Sequence, residues 1–593
     1  MTADRKLRAS SWAILAVMLL FTVIAANSNG SKGDIIRSDV RGYYGYLHAL
    51  FITHDLGHEA MQVEYVNETP DGTLNKYFAG EAVLLLPFFL VAHAYVSASG
   101  GIADGFSLPY ENAIAIAALV YALLGLLALR AVLRGLSLRE STIAILLLML
   151  GFGTQLAQYT AVQPGWSHVY SFCAFAVFLL VTQRIAHGGR PRLIIAWGAV
   201  LGMIILMRPV NGLVLLGVPV LLGKETLPFL RRFLAHRAIT LLGVLACMLV
   251  VGIQSLLWHA QIGKFVAYGY KGEGFQWDRP KVFLVLIGIR RGLFIWTPVL
   301  VAAAGSVVLL WKRDRIRFLA AMAYWAVITY VISSWWIWYY GGGFGSRVYT
   351  EHYAVLILPL ALVLDSWNGW RRRAMILFLI AASSLQLAQF YQYNHDMIDH
   401  SCMDKQKYVY SFLHFDEAHR DRFGGLYECA PFSPNGLDTL LHERWTGEHD
   451  PVHWKGQPVV NESSPSLHHA IACGPDDEFG ASFAMNSSEL PAGRALYLAI
   501  GFERHVDRPG ATRGVKGVIT VDGQHGKVSY YKAFPMEPLP PDPRKDWEHI
   551  EYRIPVPAIE EGDTVKFYFW NKDCEGPFLL DDLDITVMAA RPY

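Results

Sequence analysis

Apolar residues in this chain come in long unbroken runs rather than in short alternations. Runs near 20 residues match a hydrocarbon core about 30 Å thick and predict spanning helices. They cover Ser11 to Ala26, Ala113 to Val132, Ser141 to Tyr159, His168 to Thr182, Ala238 to His259, Leu293 to Trp311, Ile316 to Trp336, Tyr349 to Trp367 and Ala374 to Tyr391. A longer run, Leu193 to Gly223, is interrupted at Arg208-Pro209 and counts as two. The pattern predicts a polytopic α-helical membrane domain over residues 1–393, with about 11 transmembrane helices. One further run, Tyr77 to Val96, contains Glu81, Pro87 and His93. It is expected as a re-entrant or interfacial segment inside a long first outside loop, residues 27–109.

Past His395 the spanning signal stops. Residues 394–480, rich in His, Pro, Gly and charge, predict an irregular extracytoplasmic connector. From 481 to 593 short strand-like stretches follow, among them Leu496 to Ile500, Gly517 to Val521, Val565 to Trp570 and Leu583 to Val587. Turn residues separate them, which predicts an antiparallel β-sandwich. The ending Phe578-Leu579-Leu580-Asp581-Asp582-Leu583-Asp584-Ile585 resembles the last strand of jelly-roll carbohydrate-binding modules, and the resemblance implies a jelly-roll-like domain that is a candidate for carbohydrate binding.

Composition sharpens the division. The 593 residues are 53% hydrophobic and only 17% charged, against about 25% charged in soluble domains. The net charge of +1 splits into +14 before His395 (32 basic, 18 acidic) and −13 from it onward (19 basic, 32 acidic). Neither an all-soluble protein nor a nucleic-acid binder fits. Basic residues favour cytoplasmic loops. Arg130, Arg134 and Arg139, then Arg184, Arg190 and Arg192, then Lys224 to Arg237, then Lys312 to Arg317, and finally Arg371 to Arg373 fall on one side if Tyr77 to Val96 does not cross. The amino terminus is then cytoplasmic and the acidic tail periplasmic, in a multi-pass protein of the cell inner membrane surrounded by membrane lipids. Ser11 to Ala26, with its basic flank and Ala25-Ala26-Asn27, also has the form of a signal peptide. The orientation count favours a retained span. Cys402, Cys429, Cys473 and Cys574 all fall in the tail, where an oxidising compartment would allow two disulfides in three pairings.

Candidate chemistry lies on the outer side. In Asp34-Ile35-Ile36-Arg37-Ser38-Asp39-Val40-Arg41-Gly42-Tyr43-Tyr44-Gly45-Tyr46, a helix would put Asp39, Tyr43 and Tyr46 on one face. That sets a carboxylate, the form a general base takes, beside phenols. Asp34 is the rival carboxylate. His54-x-x-x-His58, with Asp55 and Glu59, has helical ligand spacing, but Gly57 weakens the helix and a solvated loop is preferred. Several cations break the orientation rule: Arg208 within a span, Arg290-Arg291 opening one on its outer side, and Arg347 after Gly341-Gly342-Gly343. Intramembrane charges usually face a cavity where they are paired. Arginine's planar fork suits a phosphate, and neutralising a phosphate leaving group would lower a transfer barrier. Glu351, Glu273 and Asp278 are the carboxylates available to pair with them; Glu351 is counted with the substrate-binding set. Lys76 joins the cations, and His168, after Gln163-Pro164-Gly165-Trp166, is a cavity candidate. Trp335 to Tyr340 reads as an interfacial aromatic belt.

The first-loop Asp39, in its Asp-x-x-x-Tyr-Tyr setting, resembles the acidic residue that the GT-C superfamily of integral-membrane glycosyltransferases places just after the first span. Lys76-Tyr77-Phe78-Ala79-Gly80 and the following Leu84 to Phe89 resemble the Lys-Tyr-Pro-x-Gly segment of bacterial members, without its proline. Arg208-Pro209-x-Asn211, Arg291-Gly292-Leu293-Phe294 with Pro298, and Phe344-Gly345-Ser346-Arg347 extend the resemblance over about the first 390 residues. The resemblance implies a polyprenyl-phosphate- or diphosphate-linked sugar donor, a glycan, lipid or protein acceptor, and inversion at the anomeric carbon. It implies Asp39 as the base and Tyr43, Lys76, Tyr77, His168, Arg208, Arg290, Arg291, Arg347 and Glu351 as the substrate-binding set. A divalent metal is used by some members and not by others, so the cofactor is left open. Two other readings are weighed: a transporter or flippase of lipid-linked saccharides, which more often shows broken helices in corresponding halves, and a membrane receptor whose β-sandwich binds glycans.

Overall fold

The computed structural model describes residues 8–591 except 30–34, 58–65, 271–272, 401–402, 417–418, 420–435, 462, 467, 509–510, 513, 524–527, 537–545, 557 and 573. Two compact units divide near the end of the last apolar run, residues 1–391 and 392–593.

The first unit is helical. Among the described residues eight helices are long and apolar enough to cross a membrane. They begin with α1 (Ala9–Asn29), which is followed by the short amphipathic α2 (Asp39–Phe51), then α3 (Gly80–Ala98) and α4 (Leu108–Gly135). A ninth span arises if Arg347–Leu356 and Leu358–Ser366, bent by 43°, are taken together. Three runs expected to span form shorter helices: α5 (Glu140–Gly153), Val299–Leu309, and α7 (Leu193–Met207), which follows α6 (His168–Ala186). The Arg208-Pro209 break appears where expected. Arg208 is extended, with φ −155° and ψ 122°, and a 3-10 helix runs on from Pro209 to Gly217. Proline has no N–H to donate, so α7 ends there.

Residues 77–96, expected as a re-entrant or interfacial segment, form one helix from Gly80 onward. α3 is continuous through Pro87 and long enough to span. Glu81 falls in its first turn, buried and without a hydrogen-bond partner among the described residues, and His93 Nδ1 lies 2.7 Å from the Tyr110 hydroxyl.

The second unit is built from two antiparallel sheets. Its strands are β3 (Leu437–Trp445), β4 (Trp454–Lys455), β5 (Gln457–Val460), β6 (His469–Cys473), β7 (Phe479–Asn486), β8 (Leu496–His505), β9 (Lys516–Asp522), β10 (Val528–Pro535), β11 (Glu548–Val556), β12 (Thr564–Trp570) and β13 (Phe578–Ala590); β1 (Val66–Thr69) and β2 (Gly72–Asn75) form a hairpin in the first unit. One sheet runs β10-β9-β12-β7-β4 and the other β11-β8-β13-β6-β5, with β3 also on β13. Strand alternation buries Val565, Phe567 and Phe569 of β12 against Leu583, Ile585 and Val587 of β13 in one core with Trp454, Phe483 and Phe502. All four strand stretches read from the sequence lie in β8, β9, β12 and β13. The sheets begin earlier than expected, however. Residues 437–473, expected as irregular connector, contribute β3 to β6. Their strands are short or polar on both faces, β5 being exposed along its whole length, so period-2 alternation is weak there. Cys473 is buried as an unbonded thiol, and Cys402 and Cys429 lie outside the described residues.

Candidate active site

The site starts from α2. Its Asp39 is in the first turn, favoured by the helix dipole, and the helix puts Tyr43 and Tyr46 one and two turns on. Residues 75–77, between β2 and α3, dock onto this face. Asn75 Nδ2 donates to the Gly42 carbonyl at 2.7 Å, its Oδ1 accepts from the Tyr77 N–H at 2.9 Å, and the Tyr46 hydroxyl donates to the Tyr77 carbonyl at 2.6 Å. Gly42 is required by this docking. A Cβ there would lie 2.1 Å from Cδ2 of Tyr77.

The docking delivers the Tyr77 hydroxyl to Asp39 Oδ1 at 2.7 Å. The other carboxylate oxygen of Asp39 faces Arg347 at 3.1 Å. Arg347 lies with its guanidinium 3.9 Å from the centre of the Trp166 ring, a cation–π arrangement. Its Nε and one terminal nitrogen are buried with no hydrogen-bond partner among the described residues. Arg208, at the break after α7, donates to the Tyr43 hydroxyl at 3.2 Å and to Glu351 at 3.4 Å. Glu351 also accepts from His168 Nδ1 at 3.0 Å, and His168 Nε2 is buried without a partner among the described residues. Lys76 pairs with Glu273, and its ammonium stands 5.4 Å from the Tyr270 ring centre and 6.0 Å from that of Tyr77.

Electrostatics follow from this packing. Burial works against ionising Asp39, but the Arg347 guanidinium, the Tyr77 hydrogen bond and Arg208 outweigh it and hold the carboxyl below its ordinary range. Asp39 is therefore a carboxylate at neutral pH. Burial pushes the Tyr43 phenol up despite Arg208, so it stays neutral.

The structure thus brings Asp39, Tyr43, Lys76, Tyr77, His168, Arg208, Arg347 and Glu351 into one neighbourhood. Arg290 and Arg291 occupy the turn before Leu293, where Arg290 stacks 3.4 Å over Tyr339 and Arg291 is buried. The pairing of Arg208 with Glu351 and of Lys76 with Glu273 takes up two of the carboxylates named from the sequence; Asp278 instead pairs with its neighbour Arg279. Trp166 and Glu81 went unassigned. Trp166 carries no signal beyond its nearness to His168, whereas Glu81 stood out as a carboxylate in an apolar run. Asp34, His58 and Glu59 lie outside the described residues. The only group of three described His, Cys, Asp or Glu residues able to share one ion is His414, Asp416 and His419, in the second unit.

No family model matches the sequence, and no curated protein does. Solved structures resemble it at low identity. AglB, the oligosaccharyltransferase of Archaeoglobus fulgidus, solved with an inhibitory peptide and a dolichol-phosphate, matches at 12% identity and a TM-score of 0.36, covering 71% of this chain and 62% of its own. The arabinosyltransferase EmbB of Mycobacterium smegmatis matches at 12% and 0.36, covering 99% and 65%. The chain therefore spans less than two thirds of either enzyme. The CBM22-1 xylan-binding domain of Paenibacillus barcinonensis Xyn10C matches at 15% and 0.20, covering 26% of this chain and 97% of its own.

Proposed function

We propose that the protein is a multi-pass membrane glycosyltransferase of GT-C type, moving a sugar from a polyprenyl phosphate or diphosphate to an extracytoplasmic glycan, lipid or protein. The observation that carries this reading is the Asp39–Arg347 pair, a carboxylate next to a guanidinium whose remaining buried N–H groups have no protein partner among the described residues. Asp39 accepts the proton of the acceptor hydroxyl or amine. Arg347 and Arg208 hold the phosphate, which leaves with the electron pair of the broken glycosidic bond. Tyr77 and Tyr43 orient the two charges through the bonds given above. One displacement inverts the anomeric centre. Lys76, His168, Glu351, Arg290 and Arg291 belong to the proposed substrate-binding set, and the β-sandwich is a candidate acceptor-binding module. The topology proposed is a cytoplasmic amino terminus with the second unit periplasmic.

The test is Asp39→Asn in purified membranes supplied with endogenous polyprenyl-linked sugars; transfer at the wild-type rate would refute the assignment. A second reading draws on two observations. The break at Arg208 and the 43° bend after Leu356 are interrupted helices of the kind that transporters place at their binding sites. A lipid-linked saccharide transporter would keep its flux in Asp39→Asn vesicles and form no glycosylated product in any variant.

A further inference from the structure

Glu81 is fully buried, and neither of its carboxylate oxygens has a hydrogen-bond partner among the described residues. A buried carboxyl with no partner gives up its charge and still leaves its polar oxygens unsatisfied, so its position needs a reason. That position is rigid. The preceding Gly80 is pressed onto the end of α7, where a Cβ would lie 2.4 Å from the Met207 nitrogen. The Ala79 N–H donates to Gln254 Oε1 at 2.8 Å, and Gln254 Nε2 donates to the Tyr46 hydroxyl at 3.1 Å. These contacts place Glu81 between α2 and the Arg208 break. The charges that act on it are Arg208 and Asp39, and it acts in turn on Tyr43 and Tyr170.

A carboxyl at that place offers a phosphate no cation. It can, however, accept hydrogen bonds from neutral donors and donate its own O–H, and adjacent hydroxyls on a ring present matching groups. We propose that Glu81 is a specificity-determining residue that accepts hydrogen bonds from hydroxyls of the transferred sugar, leaving the phosphate to Arg208 and Arg347. This rests on the glycosyltransferase reading. The site is then divided by charge, with cations at the leaving group and a neutral carboxyl at the ring.

The experiment measures binding to the full chain in detergent. The probes are farnesyl phosphate and a panel of farnesyl-phosphate glycosides (mannosyl, glucosyl and arabinofuranosyl). Wild type should bind one glycoside more tightly than farnesyl phosphate. Glu81→Gln, of equal size, should keep its farnesyl phosphate affinity while losing about 2- to 10-fold on that glycoside, the worth of a neutral hydrogen bond. Its melting temperature should match or exceed that of wild type. Equal loss on both probes would overturn the proposal in favour of a role on the cations, and no loss on either would overturn it outright. Deoxy versions of the preferred glycoside, tested on wild type, supply a readout that needs no variant. One or two hydroxyls should account for the increment, and no single hydroxyl mattering would refute the idea. A wild type that gains nothing from any sugar would overturn the proposal together with the transfer reading it rests on, whereas a sugar increment that Glu81→Gln leaves intact would overturn the proposal alone.

Discussion

Gly42→Ala is the most searching perturbation of the site, because helix propensity and packing disagree about it. Position 42 lies inside α2, where alanine is favoured over glycine by about 1 kcal/mol. The new Cβ, however, would lie 2.1 Å from Cδ2 and 2.6 Å from Cε2 of the Tyr77 ring, against a favourable carbon separation of about 3.5–4.0 Å. The ring must retreat by about 1.5 Å. Tyr77 is buried and tied through its backbone to Asn75 and Tyr46, so overpacking of about 1–3 kcal/mol offsets the propensity gain. The same retreat stretches the 2.7 Å Tyr77–Asp39 bond beyond hydrogen-bonding range. Losing a bond to a charged group is worth about 1.5–3 kcal/mol, or about 10- to 150-fold in rate if Asp39 must be oriented in the transition state. Transfer assays in membranes and melting in detergent report the two effects separately. Tyr77→Phe should reproduce the rate loss without the destabilisation. Should Gly42→Ala melt higher than wild type and transfer at full rate, the docking of residues 75–77 on α2 would be refuted.

Arg347→Ala should slow transfer about 100- to 1,000-fold, as removal of one transition-state donor does elsewhere, with Arg347→Lys recovering little because its point charge cannot fork. In the same variant burial acts on Asp39 with its largest opposing charge gone, so its pKa rises and the acidic limb of the pH–rate profile should move to higher pH. Trp166→Ala removes the ring under Arg347; about 0.5–2 kcal/mol should appear as weaker farnesyl phosphate binding rather than lost expression. In the second unit His453 sits 2.6 Å from Glu443 and 2.9 Å from Glu489. Burial acts against its protonation, but the two carboxylates prevail and raise its pKa. The stability it contributes is then complete below the unfolded histidine value of about 6.5 and is lost as pH rises through the folded value. Limited proteolysis of the second unit should accelerate over that rise in wild type, with the His453→Gln variant showing a flatter profile.

Much of this was legible in the sequence because membrane helices declare themselves by length and charge. The break at Arg208-Pro209 and the four strand stretches were readable from single residues and from period-2 alternation. The short helices α5 and α7 and the early strands β3 to β6 escaped because their ends depend on tertiary contacts. In the site, Asp39 and the arginines stood out because charge is rare in such surroundings. What could not be read was pairing. Nothing local says that Asp39 meets Arg347 or that Arg208 meets Glu351, since those contacts join residues far apart in the chain. Trp166 and Gly42 matter only through what touches them.

The Arg208–Glu351 pair has a consequence for how the protein is made. The two residues are 143 positions apart. At about 5–20 residues per second, Arg208 reaches the membrane roughly 7–30 seconds before its partner has been synthesised. An arginine at a helix centre costs about 2.5–3.5 kcal/mol during insertion; Arg208 stands at a helix end, so it bears less than that, and the nascent segment around it waits in a wetter place until its partner arrives. The bundle can close around the site only once Glu351 has arrived, which makes the candidate site one of the last parts of the membrane unit to assemble.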